Sequence, residues 1–135
     1  MNVVDSSGWL EYLADGPNAG FFAAALQDTG RLIVPTLSIL EVFKRVLQQR
    51  GEDAALQAAS AMRQGEVVDL TLRIALEAAR LGYSLKLPLA DSVMLTTARF
   101  NQAVLWTQDA DFKGLEGVKY IAKVGQAVPP APRRD

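Results

Sequence analysis

Neither cysteine nor histidine occurs among the 135 residues. The first absence excludes disulfide scaffolds, zinc fingers and thiol nucleophiles; the second excludes a Ser-His-Asp triad and any side chain that titrates unaided near neutral pH. Acid–base chemistry is therefore left to carboxylates, lysine or a bound metal ion. An excess of one charge sign is also missing. Fourteen lysines and arginines face 15 aspartates and glutamates, a net charge of −1, so no global field draws in a polyanion. Long apolar runs are lacking too: nothing approaches the roughly 20 residues of a membrane span, and the opening Met1-Asn2-Val3-Val4-Asp5 has no basic, signal-like segment. The expectation is a cytoplasmic protein that does not enter a membrane. Half of the residues (50%) are hydrophobic, enough to bury the core of one domain.

Short β-like runs alternate with helical segments along the chain. Val3-Val4 leads into Asp5-Ser6-Ser7, a polar trio suited to capping a helix over about 8–14. Asp15-Gly16-Pro17 breaks that helix, and Asn18 is placed to cap another that runs to about Gln27. Leu32-Ile33-Val34 reads as a strand. The helix after it opens at Thr36 or Ser38, carries Leu37, Leu40, Val46 and Leu47 at helical spacing, and stops at Gly51. A helix from Glu52 to about Arg63, a strand at Glu66-Val67-Val68 and a helix from Asp69 or Thr71 to Gly82 follow. Pro88 suits the first turn of a helix reaching about Phe100. Ala103–Trp106 is a strand, and Val118–Ile121 a last edge strand. Strands separated by helices predict a single α/β domain over 1–125, with a mostly parallel sheet of four or five short strands flanked by helices on both faces. The proline- and arginine-containing stretch 126–135 predicts a mobile tail.

Ligands of open α/β sheets gather beyond the carboxyl ends of the strands. Asp5 follows the first strand, Glu41 lies early in the helix after the second, Asp91 opens the helix before the fourth, and Asp109 and Asp111 occupy the turn after it. Each has a plain structural alternative: a helix cap for Asp5, a solvated position for Glu41, a dipole partner for Asp91 and turn formers for Asp109 and Asp111. Their convergence on one edge is the informative fact. Carboxylates gathered together repel unless a positive charge sits among them. Oxygen-only donors favour Mg²⁺ or Mn²⁺ over zinc, and such an ion suits phosphodiester hydrolysis without histidine.

Four segments carry a resemblance: Val3-Val4-Asp5-Ser6-Ser7, Pro35-Thr36-Leu37-Ser38-Ile39-Leu40-Glu41-Val42, Leu89-Ala90-Asp91-Ser92 through Ala98, and Leu105-Trp106-Thr107-Gln108-Asp109-Ala110-Asp111-Phe112. In their order and spacing the chain resembles the PIN-domain family, within it the VapC-type toxin ribonucleases of bacterial toxin–antitoxin pairs. The resemblance implies an Mg²⁺- or Mn²⁺-dependent endoribonuclease using metal-activated water. Asp5, Glu41, Asp91 and Asp109 match the family's acidic quartet as catalytic and metal-binding residues, with Asp5 and Asp91 as the direct contacts. Thr107 matches the family's hydroxyl position, Asp111 is a secondary candidate with turn former as its alternative, and Ser6 and Ser38 are candidates for orienting the neighbouring carboxylates. Lys44, Arg45, Lys86 and Lys113 are candidates for gripping the RNA backbone. The implied partners are RNA, a small cognate antitoxin and a second copy in a homodimer. Phe21-Phe22 and the alanine-rich 54–61 stretch are candidate contact surfaces, with core packing as their alternative.

A receiver domain fits less well, since Asp5 is followed by two serines rather than forming an acidic pair, and a haloacid-dehalogenase-like phosphatase lacks its second aspartate. No Gly-x-Gly-x-x-Gly or Gly-Lys-Ser/Thr loop supports a dinucleotide or nucleotide site. The competing functional class is a PIN-like module that binds protein or RNA without turnover.

Overall fold

A computed structural model describes residues 1–125; the predicted tail 126–135 lies outside the described residues. Five strands form one fully parallel sheet: β1 (Asn2–Val4), β2 (Leu32–Pro35), β3 (Glu66–Val68), β4 (Val104–Thr107) and β5 (Val118–Tyr120), in the order β3-β2-β1-β4-β5. Six helices connect them: α1 (Ser6–Leu13), α2 (Ala19–Leu26), α3 (Thr36–Arg50), α4 (Glu52–Met62), α5 (Leu72–Leu85) and α6 (Leu89–Phe100).

The two faces of the sheet are read directly from the alternation of side chains along each strand. Val4, Leu32 and Val34 point to one face and are covered by Trp9, Phe22, Val42, Val46, Ala55 and Met62 from α1 to α4. Val3, Ile33 and Leu105 point to the other, against Met94, Leu95 and Ala98 of α6, with Leu81 and Leu85 of α5 packed behind. Both faces being covered is why the inner strands are continuous apolar runs. Chain order moves outward from β1 through β2 to β3, then crosses to the opposite side for β4 and β5. The reversal falls between β1 and β4, whose register pairs Val4 with Trp106. At such a switch point the connections leave in opposite directions and a crevice opens past the strand ends. Because α6 runs back against the strands, its N-terminus arrives at that same edge.

Several local expectations change on folding. Phe22 and Ala55 are fully buried core residues and Ala58 nearly so, so the Phe21-Phe22 pair is packing rather than a sticky surface. Asn18 does not cap α2 with its side chain. Its φ/ψ of −96°/8° is outside the extended geometry a cap needs, and its amide instead donates to Gln108 Oε1 and the Ala122 carbonyl, both at 3.0 Å. Pro88 is the residue before α6, rather than in its first turn. Gly82 does not end α5, which continues for three more residues to a left-handed Lys86 (φ 58°). Gly82 is needed for contact instead: a β-carbon there would collide with Ser92 Oγ, so its absence lets α5 lie against the first turn of α6.

That close approach holds Ser92, the neighbour of Asp91, in place. Gly82→Ala is expected to destabilise the fold by about 1–3 kcal/mol through overpacking, despite alanine's higher helix propensity. Urea unfolding of the two proteins checks the sign, which reverses if Gly82 is merely a helix defect.

Candidate active site at the switch point

Asp5 leaves β1 at the crevice and caps α1. Its backbone N–H donates to the Trp106 carbonyl at 3.1 Å, extending the β1–β4 pairing by one residue. One carboxylate oxygen accepts from Gly8 N (3.0 Å) and Ser7 Oγ (2.8 Å); the other accepts from Thr107 Oγ1 (2.7 Å). The helix-cap role and a place at the crevice thus coincide in one residue. Gly8 makes the geometry available, since a β-carbon there would come within 2.6 Å of both Phe22 and Val4. Thr107, itself fully buried, accepts from the Asp109 N–H (2.9 Å) while donating to Asp5, and so ties the two acids together. Asp109 in turn accepts from the Asp111 N–H at 2.9 Å, closing the turn.

From the other side, α6 presents Asp91 in its first turn. Asp91, Asp109 and Asp111 each place a carboxylate oxygen within 4.8 Å of the others. Glu41, on α3, accepts from Ser6 Oγ at 2.5 Å, and it lies close enough for its charge to act on Asp91. The structure thus brings Asp5, Glu41, Asp91, Asp109 and Asp111 to one crevice. The tightest trio includes Asp111, which turn chemistry alone would also explain.

Ser38 does not join them. It is fully buried in α3 and donates to Met94 Sδ (3.2 Å), tying α3 to α6 instead of orienting a carboxylate. Two contributors carry weaker sequence signals. Ser7 is recognisable only through the Asp-x-Ser spacing, which places its hydroxyl within reach of the capping carboxylate. Gln108 is nearly buried between Thr107 and Asp109; besides accepting from Asn18, its amide donates to the Ser7 carbonyl and Glu11 Oε1, each at 3.4 Å. Nothing local announces that network, whose members lie about 90–104 residues apart in the chain.

Electrostatically the crevice is unbalanced. Burial pushes the Asp5 carboxyl up to about 6 against the opposing pull of its Thr107, Ser7 and Gly8 hydrogen bonds, with Asp109 adding repulsion. Asp91 is raised to about 7, first by burial and then by Asp109, Asp5, Asp111 and Glu41. Among the described residues, the ion pair within 4.0 Å is Arg80–Glu77 (2.7 Å), on α5; no lysine or arginine pairs with the crevice acids. A hard divalent cation with oxygen ligands fits this donor set: several convergent carboxylate oxygens, no nitrogen or sulfur, and uncompensated negative charge.

An open parallel α/β sheet with carboxylates gathered at its switch point defines a class of proteins that handle ligands beyond the strand ends. The PIN domain model matches residues 3–118, and the chain belongs to the PIN-domain family. No curated protein sequence matches it. Among solved structures, it is similar to a toxin–antitoxin complex from Klebsiella pneumoniae (20% identity, TM-score 0.74, 88% of this chain and 96% of that one). It is also similar to VapBC2 from Rickettsia felis bound to a promoter DNA fragment (11% identity, TM-score 0.69, 90% and 97%). A third is VapC20 from Mycobacterium tuberculosis, a sarcin–ricin-loop-cleaving toxin (17% identity, TM-score 0.65, 83% and 92%). At these identities the likeness is one of fold. Among the described residues, no helix is long and apolar enough to cross a membrane.

The raised carboxyls make a signed prediction for metal-free protein. The folded state holds protons that the unfolded chain releases near the ordinary value of 3.8, so these two groups favour folding at low pH. Their contribution is fully present below 3.8, declines as pH rises above it, and is entirely lost once pH has passed about 6 for Asp5 and 7 for Asp91. In EDTA, Asp91→Asn is expected to raise Tm by roughly 2–5 °C at pH 7.5, with the gain about halved at pH 5 and gone only below the unfolded value of 3.8. Calorimetry at the two pH values checks it; equal gains at both would contradict a carboxyl raised by burial and neighbouring acids.

Proposed function

We propose that this chain is a divalent-metal-dependent endoribonuclease and the toxin of a toxin–antitoxin pair. The observation that carries the reading is the acidic crevice: Asp91, Asp109 and Asp111 share one potential ion site, and Asp5 and Glu41 border it with their hydroxyl donors in place. Membership of the PIN-domain family and the fold shared with VapC toxins support it. An RNA strand would be repelled by the bare acids, so charge neutralisation and substrate binding are coupled.

Asp91, Asp109 and Asp111 would hold the ion, with Asp5 and Glu41 available as further oxygen donors. Bound there, Mg²⁺ or Mn²⁺ supplies an activated water and stabilises charge building on the phosphate. The remaining residues fix geometry. Thr107 and Ser7 hold the Asp5 carboxylate so that it cannot rotate away, and Ser6 does the same for Glu41. Thr107 sets the distance between Asp5 and the Asp109 turn through its paired hydrogen bonds. Such preorganisation matters because small displacements of charged groups cost large factors in rate.

The proposed protein partner, a small antitoxin, is supported by a groove of about 700 Å³ between α1, α3 and α4. Its walls combine Leu10, Leu13 and Val46 with Arg45 and Arg50, and it borders Ser7 and Gln108 at the acidic crevice. A segment bound there lies beside the site it would block. A homodimer in the cytoplasm completes the proposed assembly.

Cleavage of a mixed RNA pool by antitoxin-free protein tests the reading. Cutting is expected with Mg²⁺ or Mn²⁺, to stop with EDTA, and to fall at least about 100-fold in Asp5→Asn and Asp91→Asn. Folded wild-type protein that neither binds Mn²⁺ nor cuts would favour the binding-module alternative, while equal cutting by wild type and variants would identify a contaminant.

A further inference from the structure

The side-to-side alternation of β4 continues past its end. Thr107 turns toward Asp5 and Asp109 toward Asp91, while Gln108 between them points the opposite way, onto α1. There it enters a closed ring of hydrogen bonds. The Asn18 N–H donates to Glu11 Oε2 (2.7 Å), the Asn18 side-chain amide donates to Gln108 Oε1 (3.0 Å), and Gln108 Nε2 donates back to Glu11 Oε1 (3.4 Å). The second donations of the two amides go to backbone: Gln108 to the Ser7 carbonyl (3.4 Å) and Asn18 to the Ala122 carbonyl (3.0 Å).

The ring needs an amide at position 108. Asn18 donates, the Glu11 carboxylate only accepts, and Gln108 closes the circuit because it does both. Leucine there would strip partners from Asn18 and Glu11 where Asn18 is only 4% exposed and water has little access. Gly16 belongs to the same arrangement, since a β-carbon on it would lie 2.5–2.7 Å from the Glu11 carboxylate atoms.

Gln108 is also where the ring reaches the crevice. Among the described residues its backbone N–H and carbonyl make no backbone hydrogen bond, so its side chain supplies the anchorage. On one side stands Thr107, which holds Asp5; on the other stands Asp109, whose N–H returns to Thr107 Oγ1 at 2.9 Å. Releasing residue 108 frees the Asp109 carboxylate to shift against Asp91 and Asp111, whose oxygens lie within 4.8 Å of its own.

We propose that Gln108, clamped by Glu11 and Asn18, is a positioning residue that holds the Asp109 carboxylate at the separation from Asp91 and Asp111 that a divalent ion requires. This rests on the metal-dependent reading above and adds the residue that sets its geometry from behind. Gln108 acts through its chain neighbours and is not itself a ligand.

Mn²⁺ titration of the full chain, with the free ion followed by electron paramagnetic resonance, tests it without RNA. Gln108→Leu, shown to be folded by circular dichroism, is expected to bind Mn²⁺ at least about 10-fold more weakly than wild type. Asn18→Ala opens the ring from the other side with residue 108 intact. It is expected to weaken binding in the same direction, and it carries the test should Gln108→Leu not fold. Asn101→Ala is the control. It removes a 2.8 Å hydrogen bond to the Thr97 carbonyl at the end of α6 away from Asp91, and is expected to lower Tm with Mn²⁺ affinity unchanged. If either ring variant is folded and binds Mn²⁺ as tightly as wild type, the proposal is overturned and the metal-dependent reading stands. Equal weakening by Asn101→Ala overturns it too, because general loosening then accounts for the loss. Wild type that binds no Mn²⁺ overturns both.

Discussion

The pairing of β1 with β4 is the contact on which the candidate site depends. It continues past the strand ends as the Asp5 N–H to Trp106 bond and the Thr107 hydroxyl to Asp5 bond. Residues about 100 positions apart in the chain are thereby locked within hydrogen-bonding distance at the one place where the sheet's connectivity reverses. The same threonine fixes the Asp109 turn, and that turn meets Asp91 on α6. A buried hydroxyl between two acids thus determines where the crevice is and how tightly it closes.

Strength of fold and readiness for a ligand pull against one another here. Placing carboxyls at a partly buried edge with no paired lysine or arginine among the described residues raises Asp5 and Asp91 far above the ordinary range. The cost is held in check by hydrogen bonds to Asp5 and by packing that the crevice does not share. Gly8 and Gly82 allow helices to approach where any larger residue would push them away, and Ser38 joins α3 to α6 through Met94. The rigid core lies on both sides of the sheet, and the destabilising charge is confined to its edge. Such local cost at a rigidly held site is what the proposed cation would relieve.

The crevice, the groove over α1, α3 and α4, and the α5–α6 face are three separate surfaces of one small domain. The groove touches the crevice through Ser7 and Gln108, so an occupant there has a direct route to the acids. The α5–α6 face reaches it differently: Leu89 and Asp91 share the first turn of α6, and Ser92, next to Asp91, lines a hollow bordered by Tyr83.

Much was legible in the residues themselves. Absent histidine and cysteine, short apolar runs alternating with helical hydrophobic patterns, and acids following strands led to a parallel α/β sheet with an oxygen-only site, because these depend on composition and on contacts within a few residues. Asp5 as a cap and Glu41, Asp91 and Asp109 at one edge were readable for that reason. Tertiary structure alone decided the rest. It carried α5 through Gly82 because a neighbouring helix needs the space, and it turned Asn18 from an expected cap into a bridge between Gln108 and Ala122. It buried Phe22 while leaving Leu72, Leu76 and Tyr83 in water, and it drew Asp111 into the tightest trio. These outcomes depend on which distant surfaces meet, and local pattern specifies that a face is apolar or acidic without specifying what will cover it.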